Sequence, residues 1–131
     1  MLVKPDGMRR RLAGEVIARL ERRGFELRGA RLLKIPRGLA QQHYAEHKGK
    51  PFYPELVSFI TSAPVLALAV RGESAIGVVR TMMGATNPLD SAPGTIRGDF
   101  ALELSENIVH GSDSKASAKR ELGLFFPDGL V

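Results

Sequence analysis

The 131-residue sequence contains no cysteine and no tryptophan. Without cysteine there can be no disulfide framework and no thiolate nucleophile or thiolate metal site. Two tyrosines and scattered phenylalanines are too few for the interleaved aromatic platform of a single-strand nucleic-acid binder. No apolar run approaches the length of a membrane span, and no signal-peptide pattern is present. Together these absences point to a cytoplasmic protein without a membrane partner. Two phosphate-binding signatures are also missing: neither G-x-x-x-x-G-K-[ST] nor G-x-G-x-x-G occurs. Any phosphate site here must be assembled from side chains.

What is present fits one compact domain over residues 1–131, with 44% hydrophobic and 25% charged residues. The net charge of +5 is unevenly spread: residues 1–37 carry +7 and the remainder −2. A basic N-terminal third suits an anionic partner, either nucleotide phosphate or nucleic acid. It suits equally a solvated, arginine-rich helix face.

Periodicity gives the elements. Met1 to Val3 is a short apolar start, and Pro5, Asp6 and Gly7 read as a turn. Leu12, Val16, Ile17 and Leu20 recur at helical spacing before Gly24. Residues 25–35 read as a strand, 39–47 and 54–61 as helices, 64–70 as a strand buried on both faces, and 73–83 as a helix. From Gly84 to Glu106 the pattern lapses into a long loop, which is uncommon in a compact domain unless it is functional. "NIVHG" then reads as the last strand, and 114–126 as a helix capped by "SDS". The order predicts an α+β, ferredoxin-like βαββαβ fold: a four-stranded antiparallel sheet with helices packed on one face and a long active-site loop before the last strand.

Three local motifs tempt other assignments. "HYAEH" matches the H-x-x-E-H pattern of a zinc hydrolase, but no third helix-borne ligand accompanies His43 and His47, and a surface helix is the expected setting. "RGD" at 97–99 has no secretion signal to make it an adhesion site. A Ser-His-Asp hydrolase inside "NIVHGSDS" would put His110 and Ser112 on one strand face, but triads draw on distant segments and the G-x-S-x-G elbow is absent.

Phosphate chemistry fits better. Lys4, Arg80, Thr86 and Arg97 border the unpatterned stretches, and His110 lies on the strand that follows them. Arginine binds phosphate bidentately, whereas lysine acts more as a point charge. Cations around a histidine disfavour its protonated form, which leaves the nucleophilic imidazole. His110 is therefore a candidate phosphate acceptor.

The motifs "KPDG" (4–7), "HY" (43–44), "KPF" (50–52), "GATNP" (84–88), "PGTIRGDF" (93–100) and "NIVHGSDS" (107–114) resemble, in order and spacing, those of the nucleoside diphosphate kinase family. The resemblance implies transfer of a γ-phosphate from ATP or another nucleoside triphosphate to a nucleoside diphosphate, through phosphohistidine at His110. It implies that Glu121 and Ser112 orient the imidazole. Lys4, Tyr44, Arg80, Thr86 and Arg97 would hold phosphates, and Lys4 and Asn107 would contact the sugar. Phe52 and Leu104 would flank the base, with Leu56 nearby. It also implies Mg2+ held mainly by nucleotide phosphates, with Asp113 near it through water, and a homo-oligomer, hexamer or tetramer, built from dimers. Gly111 is expected to leave room beside the histidine ring. Only three residues precede Lys4, so part of the first strand is expected to be missing. The competing reading is a ferredoxin-like nucleic-acid-binding module using the basic N-terminal third. Such modules read RNA with sheet aromatics, and no strand of that kind is present.

Overall fold

The computed structural model describes all residues, 1–131. Four strands, β1 (Leu2–Val3), β2 (Glu26–Leu33), β3 (Val65–Arg71) and β4 (Val109–His110), form one sheet in the order β2-β3-β1-β4. Every pairing is antiparallel, with Leu2 opposite both Ala67 and His110. That is the order of the split βαβ arrangement, with each crossover spanning one intervening strand.

The helices are α1 (Pro5–Arg9), α2 (Ala13–Arg22), α3 (Arg37–His43), α4 (Tyr53–Ile60), α5 (Ala75–Met83), α6 (Ile96–Phe100) and α7 (Lys115–Phe125). They cover both faces of the sheet, not one. Val3 and Leu68 face a core shared with Val16 and Leu20 of α2, Val79 and Met83 of α5 and Ile96 of α6. Leu2, Val65 and Ala67 point the other way, onto Ala40 of α3, Val57 and Ile60 of α4 and Phe125 of α7. The alternating sides of β3 explain why its sequence is apolar from Val65 to Val70. The additional helices α3 and α4, with α7, cover the face left open in the minimal βαββαβ skeleton. No helix is long and apolar enough to cross a membrane.

Three local expectations need correction. "PDG" is not an isolated turn but the first turn of α1, with Pro5 at the start and Asp6 in the first turn. Proline lacks the N–H that a first helical residue leaves unpaired anyway. The 84–106 stretch is not all loop. Residues 88–90 make a 3₁₀ turn capped by Asn87, and Thr95 caps α6 by accepting the Gly98 N–H at 3.0 Å. The last strand is only Val109–His110, because Ile108 has φ of +74°.

That angle closes a tight turn in which the Val109 N–H donates to Asn107 O at 2.8 Å. A γ-turn with positive φ is rare, and a β-branched residue at its centre is strained. The strain is held from several sides. Lys4 N donates to Ile108 O at 2.8 Å, and Ile108 N donates to the Asp6 carboxylate at 2.9 Å. Gly7 lies so close that a Cβ there would be 2.9 Å from Ile108 O.

Candidate active site

The edge of the sheet where β1 ends and β4 begins opens into a polar cleft of about 210 Å³. The antiparallel register brings Lys4, just past β1, next to Asn107, just before β4. The Lys4 ammonium donates to the Asn107 side-chain oxygen, and Asn107 Nδ2 donates to Thr86 O at 2.9 Å. One short chain of hydrogen bonds thus joins the first strand, the 84–95 segment and the last strand. Burial pushes the Lys4 ammonium down to about 8, although Asp6 opposes the shift. It remains charged at neutral pH.

Arg80 and Arg97 line the same cleft. Arg80 donates to Gly111 O at 3.1 Å. Arg97 is only 5% exposed, and its guanidinium donates to Asn107 O, Gly84 O and Val109 O at 3.2, 3.1 and 2.7 Å. Arginine has five N–H donors, so these three bonds leave two. Arg97 therefore braces the strained turn and still presents a charge to the cleft. Burial, then Arg80, push its pKa down to about 10, well above neutrality. The buried setting also disposes of "RGD" as a displayed adhesion loop. Tyr44 lines the cleft too, with its phenol pushed up to about 12 by burial, so it stays a neutral hydroxyl.

His110 sits at the floor. Its Nε2 lies 2.9 Å from Glu121 Oε1 on α7. Ser112 Oγ donates to the other carboxylate oxygen of Glu121, not to His110, so no Ser-His-Asp triad exists. Burial opposes ionisation of Glu121, but the hydrogen bonds from His110 and Ser112 outweigh it and hold the carboxyl down at about 2. An ionised carboxylate only accepts, so Nε2 is the protonated nitrogen of the ring. In the neutral ring Nδ1 is then the nitrogen with a free lone pair.

His43 is the residue that sequence reasoning misplaced. It is 4% exposed, not on a surface helix, and its ring meets that of His110 edge-on with centroids 4.7 Å apart. It also packs against Phe125 and Tyr44. Leu39, Ala40, His43 and Tyr44 recur at helical spacing, and this stripe turns α3 inward onto α7. The signal was present in the spacing. Burial, then the neighbouring His110, push His43 down to about 3, so it is neutral. Glu46 and His47 of the "HYAEH" motif also line the cleft, with Ser117 and Arg120, two residues that no motif marked in the sequence.

The structure does not bring every expected residue into this cleft. Asp113, Thr86 and Asn107 line it, but Phe52, Leu56 and Leu104 do not. Phe52 is 45% exposed and meets His47 at a centroid distance of 5.3 Å, which places it at the mouth. Leu56 is half-buried on α4, and Leu104 is 60% exposed beyond α6. The space expected beside the ring at Gly111 is taken by Met83 of α5, which a Cβ would strike.

The nucleic-acid alternative loses its footing here. Both sheet faces are covered, so no strand can present an open reading surface. Several N-terminal arginines are engaged internally. Arg19 pairs with Glu15 and Asp99, Arg9 with Glu106, and Arg10 donates to Phe100 O.

Comparison with known proteins agrees with this geometry. The family model described as nucleoside diphosphate kinase matches residues 1–131. A nucleoside diphosphate kinase of Rubrobacter xylanophilus is 61% identical over 126 residues, covering 96% of this chain and 95% of its own. One from Archaeoglobus fulgidus is 57% identical over 131 residues, covering 100% of this chain and 87% of its own. Among solved structures, a halophilic nucleoside diphosphate kinase from Halobacterium salinarum in complex with CDP aligns with a TM-score of 0.96 at 49% identity, over 99% of this chain and 88% of that one. A nucleoside diphosphate kinase family protein from Babesia bovis aligns equally well at 44% identity, over the same shares of the two chains. With a cation-lined cleft, a carboxylate-held histidine and relatives alike over nearly their full lengths, the chain belongs to the nucleoside diphosphate kinase family.

Proposed function

We propose that the protein transfers the γ-phosphate of a nucleoside triphosphate to a nucleoside diphosphate in two steps, through a phosphohistidine on His110. The observation that carries the reading is the hydrogen bond between His110 Nε2 and ionised Glu121. It fixes the proton on Nε2 and leaves the Nδ1 lone pair to attack phosphorus. In the first step an Nδ1–P bond forms as the bond from the γ-phosphorus to the bridging oxygen breaks, and the diphosphate leaves. The ring then carries positive charge, which the Glu121 carboxylate offsets at 2.9 Å. In the second step a terminal oxygen of another diphosphate attacks, and the P–N bond breaks. No net proton transfer is needed, which suits a cleft whose cations and hydroxyls position phosphate and offset its charge.

Lys4, Arg80 and Arg97, with the hydroxyls of Tyr44 and Thr86, are the groups we assign to the phosphates. Catalysis of this kind rests on positioning and charge stabilisation. Lys4 and Asn107, already joined by a hydrogen bond, are assigned to the sugar. Phe52 at the mouth and Leu104 are assigned to the two faces of the base, with Leu56 nearby. A base held by stacking alone is poorly discriminated, because every base has a π-face. The Halobacterium relative in complex with CDP supports a nucleoside diphosphate as ligand.

The donor set also fits Mg2+. The cleft offers the exposed carboxylates of Asp113, held below the usual range by a hydrogen bond from Ser117, and of Glu46, while Glu121 is taken up by His110 and Ser112. That is too little for an all-protein cage, but it suits an ion bound mainly to substrate phosphates with Asp113 reaching it through water. When bound, the ion would neutralise phosphate charge. We further assign a homo-oligomer built from dimers and a cytoplasmic setting. The exposed edge strand β2, with Leu27 and Leu32 on the surface, supports self-association.

The test is incubation with γ-labelled ATP and Mg2+. An acid-labile, alkali-stable phosphoenzyme is expected, and it should be absent in His110→Ala. Failure of the parent protein to form it, or its persistence in the variant, would overturn the mechanism.

A further inference from the structure

His43 leaves a problem that phosphoryl transfer does not solve. Neither ring nitrogen has a hydrogen-bond partner, although the side chain is 1% exposed. A buried polar group without a partner is costly and calls for an explanation. Its Nδ1 lies 3.9 Å from Glu121 Oε1, and the same oxygen lies 2.9 Å from His110 Nε2. One ligand atom from each of His43, His110 and Glu121 falls within 4.8 Å of the other two.

We propose that His43, His110 and Glu121 form a binding site for a borderline transition-metal ion, with Zn2+ as the model occupant, and that its occupation switches the phosphate acceptor off. The consequence for catalysis rests on the function proposed above; the site itself does not.

The geometry suits that ion. Zinc bonds to histidine nitrogen and carboxylate oxygen of ~2.0–2.2 Å, at tetrahedral angles, put ligand atoms roughly 3.3 Å apart. The two contacts at Glu121 bracket that spacing at 2.9 and 3.9 Å, and the two histidine nitrogens, within 4.8 Å, draw together by side-chain rotation to complete the site. Two imidazoles and one carboxylate are a ligand set for Zn2+ and its neighbours, whereas Mg2+ prefers oxygen in octahedral geometry. The outer partner is in place too, since Ser112 Oγ donates to the second oxygen of Glu121. His43 is neutral and Glu121 ionised, so neither must lose a proton to bind metal.

This is not the zinc motif that "HYAEH" suggests. That motif needs His43 and His47 on one helical face, and α3 ends at His43, with a 3₁₀ turn carrying His47. The second and third ligands come instead from β4 and α7.

Occupation would stop phosphorylation by a proton shift. The ion takes the Nε2 lone pair of His110, and the Nε2 proton moves to Nδ1. The ring stays neutral, but it presents an N–H where attack on phosphorus needs a lone pair. Mg2+-nucleotide could be fully bound and still not react.

The experiment starts from metal-free protein without nucleotide. Zn2+ is titrated in competition with a chromophoric chelator, with Mg2+ in large excess. One Zn2+ per chain is expected, at least about tenfold weaker in His43→Phe and retained in His47→Asn. Co2+ in place of Zn2+ should give the visible absorption of a tetrahedral site in the parent protein only. Phosphoenzyme formation should slow at least tenfold with Zn2+ and recover with EDTA. Should His43→Phe not fold, Glu121→Gln takes its place, with the same expected loss of Zn2+. Absence of stoichiometric binding, equal binding by the variant, or loss in His47→Asn overturns the site. Failure of metal-free protein to form phosphoenzyme would overturn the proposed function instead, while the titration still decides the metal site.

Discussion

Replacement of Asp6 by alanine tests whether the strained turn before His110 is held by a hydrogen bond to a buried carboxylate. Asp6 is 1% exposed, and its Oδ2 accepts the Ile108 N–H at 2.9 Å. A hydrogen bond to a charged group contributes about 1.5–3 kcal/mol, and its loss leaves the Ile108 N–H buried without a partner. The other oxygen, Oδ1, is itself buried and unpartnered, so its removal returns part of that, roughly 1 kcal/mol. The turn will not relax, because Lys4 N and Arg97 hold it independently. The net cost should be about 1–2 kcal/mol, or roughly 4–8 °C in thermal midpoint for a chain of this size. Asp6→Asn keeps an oxygen for the Ile108 N–H and should cost about half as much, on the order of 1 kcal/mol or less. Urea unfolding at matched protein concentration reads both, since self-association would otherwise shift the midpoints. A value for Asp6→Ala within about 0.5 kcal/mol of the parent would refute the bracing role. So would Asp6→Asn as damaging as Asp6→Ala, because charge and not the acceptor would then be what matters.

Other predictions concern the cleft. Glu121→Gln removes the charge that fixes the His110 proton. A charge-assisted bond of about 1.5–3 kcal/mol corresponds to a fall of roughly 10- to 100-fold in single-turnover phosphorylation, with little change in nucleotide affinity. Acid stability should fall in two stages. His43, with its folded pKa depressed from 6.5 to about 3, takes up its proton more readily when unfolded, so its contribution is full above pH 6.5 and declines as pH falls toward 3. Glu121, depressed from 4.5 to about 2, contributes fully above pH 4.5 and loses that as pH falls toward 2. In His43→Phe the decline between pH 6.5 and 4.5 should therefore disappear from urea midpoints measured across that range. Lys4, with its pKa lowered from 10.5 to about 8, loses its charge as pH rises past 8, so nucleotide affinity measured calorimetrically should weaken there. In Lys4→Gln affinity should be weaker throughout and lack that dependence.

How much could be read from sequence depended on whether the controlling interaction was local. The long amphipathic helices and β3 followed their hydrophobic spacing closely, because burial of one face or two is written into that spacing. Short elements did not. Five residues of α6 give no periodicity, and its only marker is the Thr95 cap. The last strand is shorter than "NIVHG" predicts: isoleucine is a strand former, and nothing local says that Ile108 must take φ of +74°. That conformation is imposed by Asp6, 102 residues away in sequence, and by Arg97. His43 departs from its expected surface setting for the opposite reason. Its apolar stripe was legible, but its polar side chain and the motif around it invited a surface reading.

The cleft itself follows from sheet order, which no local pattern encodes. Lys4 and Asn107 are 103 residues apart, and they meet because β1 lies between β3 and β4. In a fold with a glycine-rich phosphate loop, backbone amides from one segment do this work and the sequence displays it. Here the charges come from the ends of separate elements, so each alone looks like an ordinary solvated residue. The register of β1 on β4, with Val3 opposite Val109, converts scattered cations into one cleft and fixes His110 beneath it. A single-residue slip in that pairing would turn His110 to the opposite face of the sheet, away from Glu121. The buried bonds around Ile108 oppose that slip, so the strain beside the nucleophile also serves to hold the register on which the site depends.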